Sequence, residues 1–163
     1  MLNNGELKKK KIYDKKTALQ KASQYCAYQE RSQQEVRDKL YDWGLHKEDV
    51  EDCIAELIIQ NFINEERYSK LYAVSKLRQN KWGKVKIKQE LKLKKISPYC
   101  IKIALDEIND SEYRSILSII LKKKAAEVKD TNKYKRMAKI ASFAISKGFE
   151  NELVREILKF DEE

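Results

Sequence analysis

Residues 36–54 read VRDKLYDWGLHKEDVEDCI, residues 87–105 read IKQELKLKKISPYCIKIAL, and residues 140–158 read IASFAISKGFENELVREIL. One pattern runs through all three. The first stretch places apolar residues at Val36, Leu40, Leu45, Val50 and Ile54. The second repeats them at Ile87, Leu91, Ile96, Ile101 and Leu105, and the third at Ile140, Ala144, Phe149, Val154 and Leu158. A sixth position, immediately before the third apolar residue, holds Gly44, Lys95 and Gly148. The copies lie 51 and 53 residues apart with identical internal offsets, and such self-similarity is the mark of a repeat architecture.

The spacing has a physical reading. The first two apolar positions lie one helical turn apart and share a face. Gly44 and Gly148 stand where a helix ends on a left-handed residue. The apolar residue after them folds back onto the helix end. The last two positions open a second helix. Each stretch is therefore a helix, a tight turn and a helix.

A further helix precedes each pair, near 15–29 with Ala18, Ala22 and Tyr25 on one face, near 65–79 with Tyr68, Leu71 and Tyr72, and near 111–125 with Tyr113, Ile116, Leu117, Ile120 and Leu121. Ser32-Gln-Gln-Glu35 reads as a capping box. Ser97-Pro98 reads as a cap followed by proline at the first helical position. Asn64 and Asp110 are candidate caps for the fourth and seventh helices. The expected fold is all-α, with nine helices as three tandem three-helix repeats in an elongated, curved array. The expected boundaries are a basic flexible tail over 1–14, then repeats over 15–63, 64–109 and 110–163. The apolar pattern lapses most at 126–132, which marks the expected weakest joint.

Composition agrees. Among 163 residues there are four glycines and one proline, too few for a β protein rich in turns. Apolar residues make up 42%, enough for a core, although 37% of the chain is charged. Cys26, Cys53 and Cys100 are scattered and His46 is the one histidine, so neither a zinc site nor a disulfide framework is expected. No phosphate-binding glycine loop, catalytic motif or cofactor motif is present, so the expectation is a binding protein without a cofactor rather than an enzyme. The N-terminal MLNNGELKKKK does not read as a signal peptide, and no apolar run is long enough to span a membrane. The cytoplasm is the expected compartment.

Charge is uneven along the chain. Residues 30–66 hold 4 basic and 11 acidic residues, whereas residues 67–102 hold 12 basic residues and one acid, Glu90. The second block is a strong local positive field, suited to nucleic acid or an acidic protein surface. Its sharpest feature is the helix over 84–95, which projects Lys84, Lys88, Lys92 and Lys95 within an arc of roughly 80°. Lys86 and Lys94 stand close by. Arg67, Lys70, Lys76, Arg78 and Lys81 extend the surface from the preceding helix and its connection. Four like charges on one stripe repel, so an isolated helix gains nothing from them. The stripe is either a contact surface for phosphates or carboxylates, or a solvated lysine face. Lysine binds the backbone by charge and reads little sequence. Tyr68, Tyr72 and Trp82 lie among these bases and could stack on nucleobases, or be ordinary core residues.

At the second repeat the residues resemble the RecX family, bacterial regulators of the RecA recombinase. The resemblance rests on Glu66-Arg67-Tyr68, Lys70, Tyr72, Lys76-Leu77-Arg78, and the run from Trp82-Gly83-Lys84 to Lys95-Ile96. The first repeat adds Ser32 to Leu40, Trp43-Gly44-Leu45, and Gln60 to Tyr68. The third, with Lys147-Gly148-Phe149, fits more loosely. Lys95 departs from the pattern, since the family carries glycine there. A lysine with positive φ is less comfortable at such a turn.

The resemblance implies a monomer that restrains homologous recombination, and hence bears on DNA repair and the SOS response. It would do so by binding the filament of RecA on single-stranded DNA. The alternative is a nucleic-acid-binding protein acting independently of RecA, either sequence-nonspecific or of helix-turn-helix type. A base-reading helix carries Arg, Asn, Gln or Ser at its contacts, whereas residues 84–95 are dominated by lysine.

Overall fold

The structure is a computed structural model and describes residues 10–160. Nine helices and no strand occur among the described residues. They are α1 (Lys15–Tyr28), α2 (Gln33–Asp42), α3 (Lys47–Ile59), α4 (Glu65–Asn80), α5 (Lys84–Leu93), α6 (Pro98–Asp106), α7 (Asp110–Glu127), α8 (Lys133–Ser146) and α9 (Asn151–Phe160). Each repeat is a triad of consecutive helices, as the sequence pattern requires.

The repeated positions build the turns in a uniform way. Leu45, Ile96 and Phe149 each donate their backbone N–H to the carbonyl five residues back, on Leu40, Leu91 and Ala144. Gly44, Lys95 and Gly148 donate to the carbonyl three residues back. This pair of bonds satisfies the orphan carbonyls of a helix end and needs a left-handed residue between them. Gly44 has φ of 88°, Gly148 of 96°, and Lys95 of 59°. Lysine at the second turn therefore adopts the geometry that glycine adopts at the other two. Of the five apolar repeat positions in each copy, all are buried except Leu105, which is half-buried.

The chain divides into two compact units, one ending at Tyr68 and the other beginning at Ser69. The division falls inside α4 and not at 126–132. Helices α7, α8 and α9 pack on one another across that connection, with Leu117, Leu121, Ile140 and Val154 buried.

In the first unit α1, α2 and α3 pack in a three-way bundle around Ala18, Ala22, Val36, Leu40, Val50, Ile54 and Leu57. The small Ala18 and Ala22 are fully buried, so α1 approaches its neighbours closely. The capping box forms as expected: Ser32 Oγ accepts from Glu35 N–H at 3.2 Å, and Glu35 Oε2 accepts from Ser32 N–H at 2.8 Å. Such a cap is worth about 1 kcal/mol.

The basic tail expected over 1–14 needs shortening. Residues 1–9 lie outside the described residues. Tyr13 is held: its N–H donates to the Trp43 carbonyl at 3.0 Å, and its ring meets the Trp43 indole edge-on at 5.7 Å. Ile12 lies so near Gly44 that a Cβ there would stand 3.1 Å from the isoleucine side chain. Asp14 caps α1 by accepting from Thr17 N–H at 3.0 Å. The chain is thus engaged from Ile12 onward.

In the second unit α5 begins without a side-chain cap, since its N-cap is Gly83. Its first amides are satisfied instead by the third repeat. Gly83 N–H donates to the Lys147 carbonyl at 2.9 Å and Val85 N–H to the Gly148 carbonyl at 3.0 Å. Lys84 N–H donates to Tyr113 Oη at 2.9 Å, and that hydroxyl donates to Glu150 Oε2 at 2.6 Å. Burial, aided by the Glu150 carboxylate, pushes the Tyr113 hydroxyl pKa up, so it stays a donor. The crossing requires two glycines. A Cβ on Gly83 would stand 2.3 Å from the Gly148 carbonyl, and one on Gly148 would stand 2.3 Å from the Lys86 Cβ.

The smaller expectations divide. Asn64 Oδ1 caps α4 by accepting from Arg67 N–H. At α7 the cap is Asn109, which accepts from Glu112 N–H, so Asp110 is the first helical residue rather than the cap. Ser97 caps α6 with Pro98 at its start.

Candidate binding surface

The basic residues singled out in the sequence differ in their surroundings. Arg67 and Tyr68 belong to the first compact unit and the rest to the second. Arg67 serves structure. Its guanidinium donates to Glu30 and, at 3.2 and 3.1 Å, to the Asn61 side chain and carbonyl. Asn61 has φ of 61°, so this arginine staples the left-handed turn after α3. Tyr68 is buried, which removes it as a stacking platform.

Two more cations are matched by carboxylates from distant sequence. Lys70 pairs with Glu107 at 2.6 Å. Arg78 forms a bidentate pair with Glu112 at 2.6 and 3.1 Å. The guanidinium holds the Glu112 carboxyl below its ordinary pKa. Exposed pairs of this kind contribute little to stability, but their charge is locally cancelled.

The remaining lysines lie on and around α5. At roughly 100° per residue, the buried Ile87 and Leu91 form the inward stripe, and the lysines fall on either flank of it. On one flank Lys86 and Lys94, with Lys76 from α4, surround two half-buried aromatic rings. Lys76 Nζ lies 5.1 Å from the Trp82 ring centre and 5.4 Å from that of Tyr72. Lys86 lies 4.6 Å from Trp82, and Lys94 5.6 Å from Tyr72. Ammonium groups over ring faces gain about 0.5–1 kcal/mol each at exposed sites. The rings thus act as seats that gather three like charges; they are not bare stacking faces.

On the other flank Lys88, Lys92 and Lys95 are exposed, and no carboxylate lies within ion-pair reach of them among the described residues. Lys84 stands between, its ammonium 4.9 Å above the Tyr113 ring. Lys81 follows α4 in a left-handed conformation, φ 56°, with its ammonium donating to the Arg78 carbonyl at 2.6 Å. The sequence reading missed Lys123, Lys124 and Lys147, which line a concavity together with Lys81. The run Lys122–Lys124 was its one signal, diluted in a segment whose charges balance.

The cysteines and the histidine lie apart from these lysines in the sequence. Burial pushes the Cys26 thiol up to about 11 and the Cys53 thiol upward as well, while Cys100 is half-buried. His46 is exposed at the start of α3. Among the described residues no group of three His, Cys, Asp or Glu side chains could hold a metal ion, and no helix is long and apolar enough to cross a membrane.

Three consecutive three-helix triads define a class of all-α helical-repeat protein. Three family models match in chain order: the first three-helix domain of RecX over residues 18–57, the second over 64–105 and the third over 110–158. The chain belongs to the RecX family. Similar curated proteins include the regulatory protein RecX of Clostridium perfringens, 30% identical over 134 residues, and that of Clostridium beijerinckii, 30% identical over 131 residues. Each comparison covers 79% of this chain, and the chain spans 61% of each relative's length. Among solved structures, RecX from Lactobacillus salivarius matches with a TM-score of 0.82 at 24% identity, covering 89% of this chain and 94% of that one. A second crystal structure of regulatory protein RecX matches with a TM-score of 0.81 at 21% identity, over 89% and 71%. These two likenesses establish the fold.

Proposed function

We propose that the chain is a non-enzymatic regulator that binds the filament of a RecA-type recombinase on single-stranded DNA and restrains its activity. It would act as a monomer in the cytoplasm. The observation that supports this reading is the exposed flank of α5. Lys88, Lys92 and Lys95 project there without the carboxylates that neutralise Lys70 and Arg78. Such a flank gains stability only when a polyanion or an acidic surface covers it. The relatives' shared name, regulatory protein RecX, supports the recombinase as partner.

The test titrates the protein into single-strand-dependent ATP hydrolysis and strand exchange by a RecA recombinase. Inhibition by the unaltered chain, weakened at least tenfold in Lys88→Glu/Lys92→Glu with helicity intact, is the expected outcome. No inhibition and no co-sedimentation with the filament would overturn the reading. A sequence-selective footprint on duplex DNA would instead favour an independent DNA-binding role.

A further inference from the structure

The concavity lined by Lys81, Lys123, Lys124 and Lys147 over Ile120 and Phe143 lies within the second compact unit, between the end of α4 and helices α7 and α8. Its volume is about 220 Å³. Pockets for drug-sized ligands run from roughly 300 to 1,000 Å³, so this one takes a single small unit. Ile120 and Phe143 supply an apolar floor, and the Lys124 ammonium sits 4.6 Å above the Phe143 ring.

The charge is one-sided. The single acid of the lining, Glu127, pairs with Lys124 at 3.6 Å. Lys81, Lys123 and Lys147 form no ion pair among the described residues, although the Glu112 carboxylate lies near enough to Lys81 to feel its charge. Two of these ammonium groups are held in place by the exposed end of α4: Lys81 donates to the Arg78 carbonyl at 2.6 Å, and Lys147 to the Asn80 carbonyl at 3.2 Å. An ammonium carries three donors, so each keeps two for a ligand. The neutral carbonyls fix position without cancelling charge.

Lys81 adds an independent observation. Its φ of 56° is a conformation that costs a side-chain-bearing residue roughly 1–2 kcal/mol and that glycine or asparagine adopts more readily. A lysine held in that conformation with its ammonium at the rim is what a binding role would require. Lys81 is also the neighbour of Trp82, over which Lys76 and Lys86 gather. The concavity therefore adjoins the candidate surface in sequence, and a polymer of repeated phosphates could engage both.

We infer that this concavity holds one nucleotide unit of a single-stranded nucleic acid, its phosphate against Lys81, Lys123 and Lys147 and its sugar and base over Ile120 and Phe143. Binding here needs no recombinase, so it can succeed or fail independently of the regulatory role proposed above.

The experiment measures binding of a fluorescent oligothymidylate of about 20 nucleotides, long enough to cover several contacts, to the full chain across a salt series. Each lost phosphate contact on a single strand lowers the slope of log affinity against log salt by about 0.7. Lys123→Gln/Lys147→Gln should reduce that slope by about 1.4 and weaken binding severalfold at low salt. Lys81→Asn/Lys123→Gln should do the same, with asparagine tolerating the left-handed backbone. Lys88→Gln/Lys92→Gln serves as the comparison. If it lowers the slope while both pocket variants leave slope and affinity unchanged, the inference is wrong. Binding of thymidine monophosphate or inorganic phosphate that the pocket variants abolish, with strand affinity untouched, would assign the site to a free anion and also overturn it.

Discussion

The turns after α2 and α5 follow the same backbone path with different residues at their centre. Trp43-Gly44-Leu45 and Lys94-Lys95-Ile96 make the same two hydrogen bonds and bury the same apolar anchor. Glycine enters the left-handed region without strain, whereas lysine bears a cost of roughly 1–2 kcal/mol there. The surroundings differ in the same sense. In the first repeat Arg37 meets Glu51 at 2.7 Å and Lys15 meets Asp52 at 2.7 Å. Along the exposed flank of α5 the lysines meet no carboxylate among the described residues. One helical plan thus carries a relaxed turn in a repeat where Arg37 and Lys15 are paired, and a strained turn beside lysines that meet no carboxylate among the described residues. What the strained turn gives up in stability is consistent with a surface shaped by binding.

The comparison breaks most sharply at the third copy. Gly148→Ala should destabilise the protein by about 3 kcal/mol or more, because a methyl group there meets backbone atoms as well as an unfavourable φ. Chemical denaturation followed by circular dichroism measures it, and a loss under 1 kcal/mol would mean that the crossing at Gly83 relaxes easily. Gly44→Ala should cost about 1–2 kcal/mol, since the backbone term remains but only the Ile12 side chain must shift. Lys95→Gly runs the other way. It should stabilise the fold by about 0.5–1 kcal/mol, the relief of strain outweighing glycine's greater unfolded-state freedom, while weakening filament binding. A variant both more stable and equally tight in binding would remove Lys95 from the surface.

The smallest effect is in pH. The Arg37 guanidinium lowers the Glu51 carboxyl below its ordinary value of 4.5, and Arg78 does the same to Glu112. A depressed carboxyl contributes stability that is present above 4.5 and is lost as pH falls through the lower folded-state value. Both pairs are exposed, so the change is slight. Glu51→Gln and Glu112→Gln should flatten the acid limb of the stability profile below about pH 4.5. Lys88→Gln should leave that limb unmoved, because no carboxylate among the described residues lies within ion-pair reach of it. An equal shift from Lys88→Gln would show an ion pair where none is described.

Much of the fold was legible because the decisive information is local. Positions 36, 40, 45, 50 and 54 and their two echoes specify helix, turn and helix through contacts within nineteen residues. The capping box at Ser32 and the Ser97-Pro98 start are equally local. The candidate surface was less legible because charge along a chain does not reveal charge in space. Arg67, Lys70 and Arg78 counted toward the basic block, yet their partners Glu30, Glu107 and Glu112 come from more than thirty residues away. Lys147 was hidden for the same reason: only folding brings it beside Lys81. Tyr68 and Tyr72 share one helix face in the sequence, but Tyr68 is buried and Tyr72 half-buried. Ile12 and Tyr13 looked like the end of a tail because the Trp43–Gly44 turn that receives them lies thirty residues on.

The glycine crossing bears on modularity. Repeats suggest parts that can be cut apart, yet α5 borrows its N-terminal caps from residues 113, 147 and 148. A fragment ending with the second repeat would leave those amides bare. The lysine-rich helix α5 is therefore not portable without the third repeat. Its first turn is completed only when the third repeat, which follows it in the sequence, has folded onto it, so during synthesis α5 would be capped later than α2.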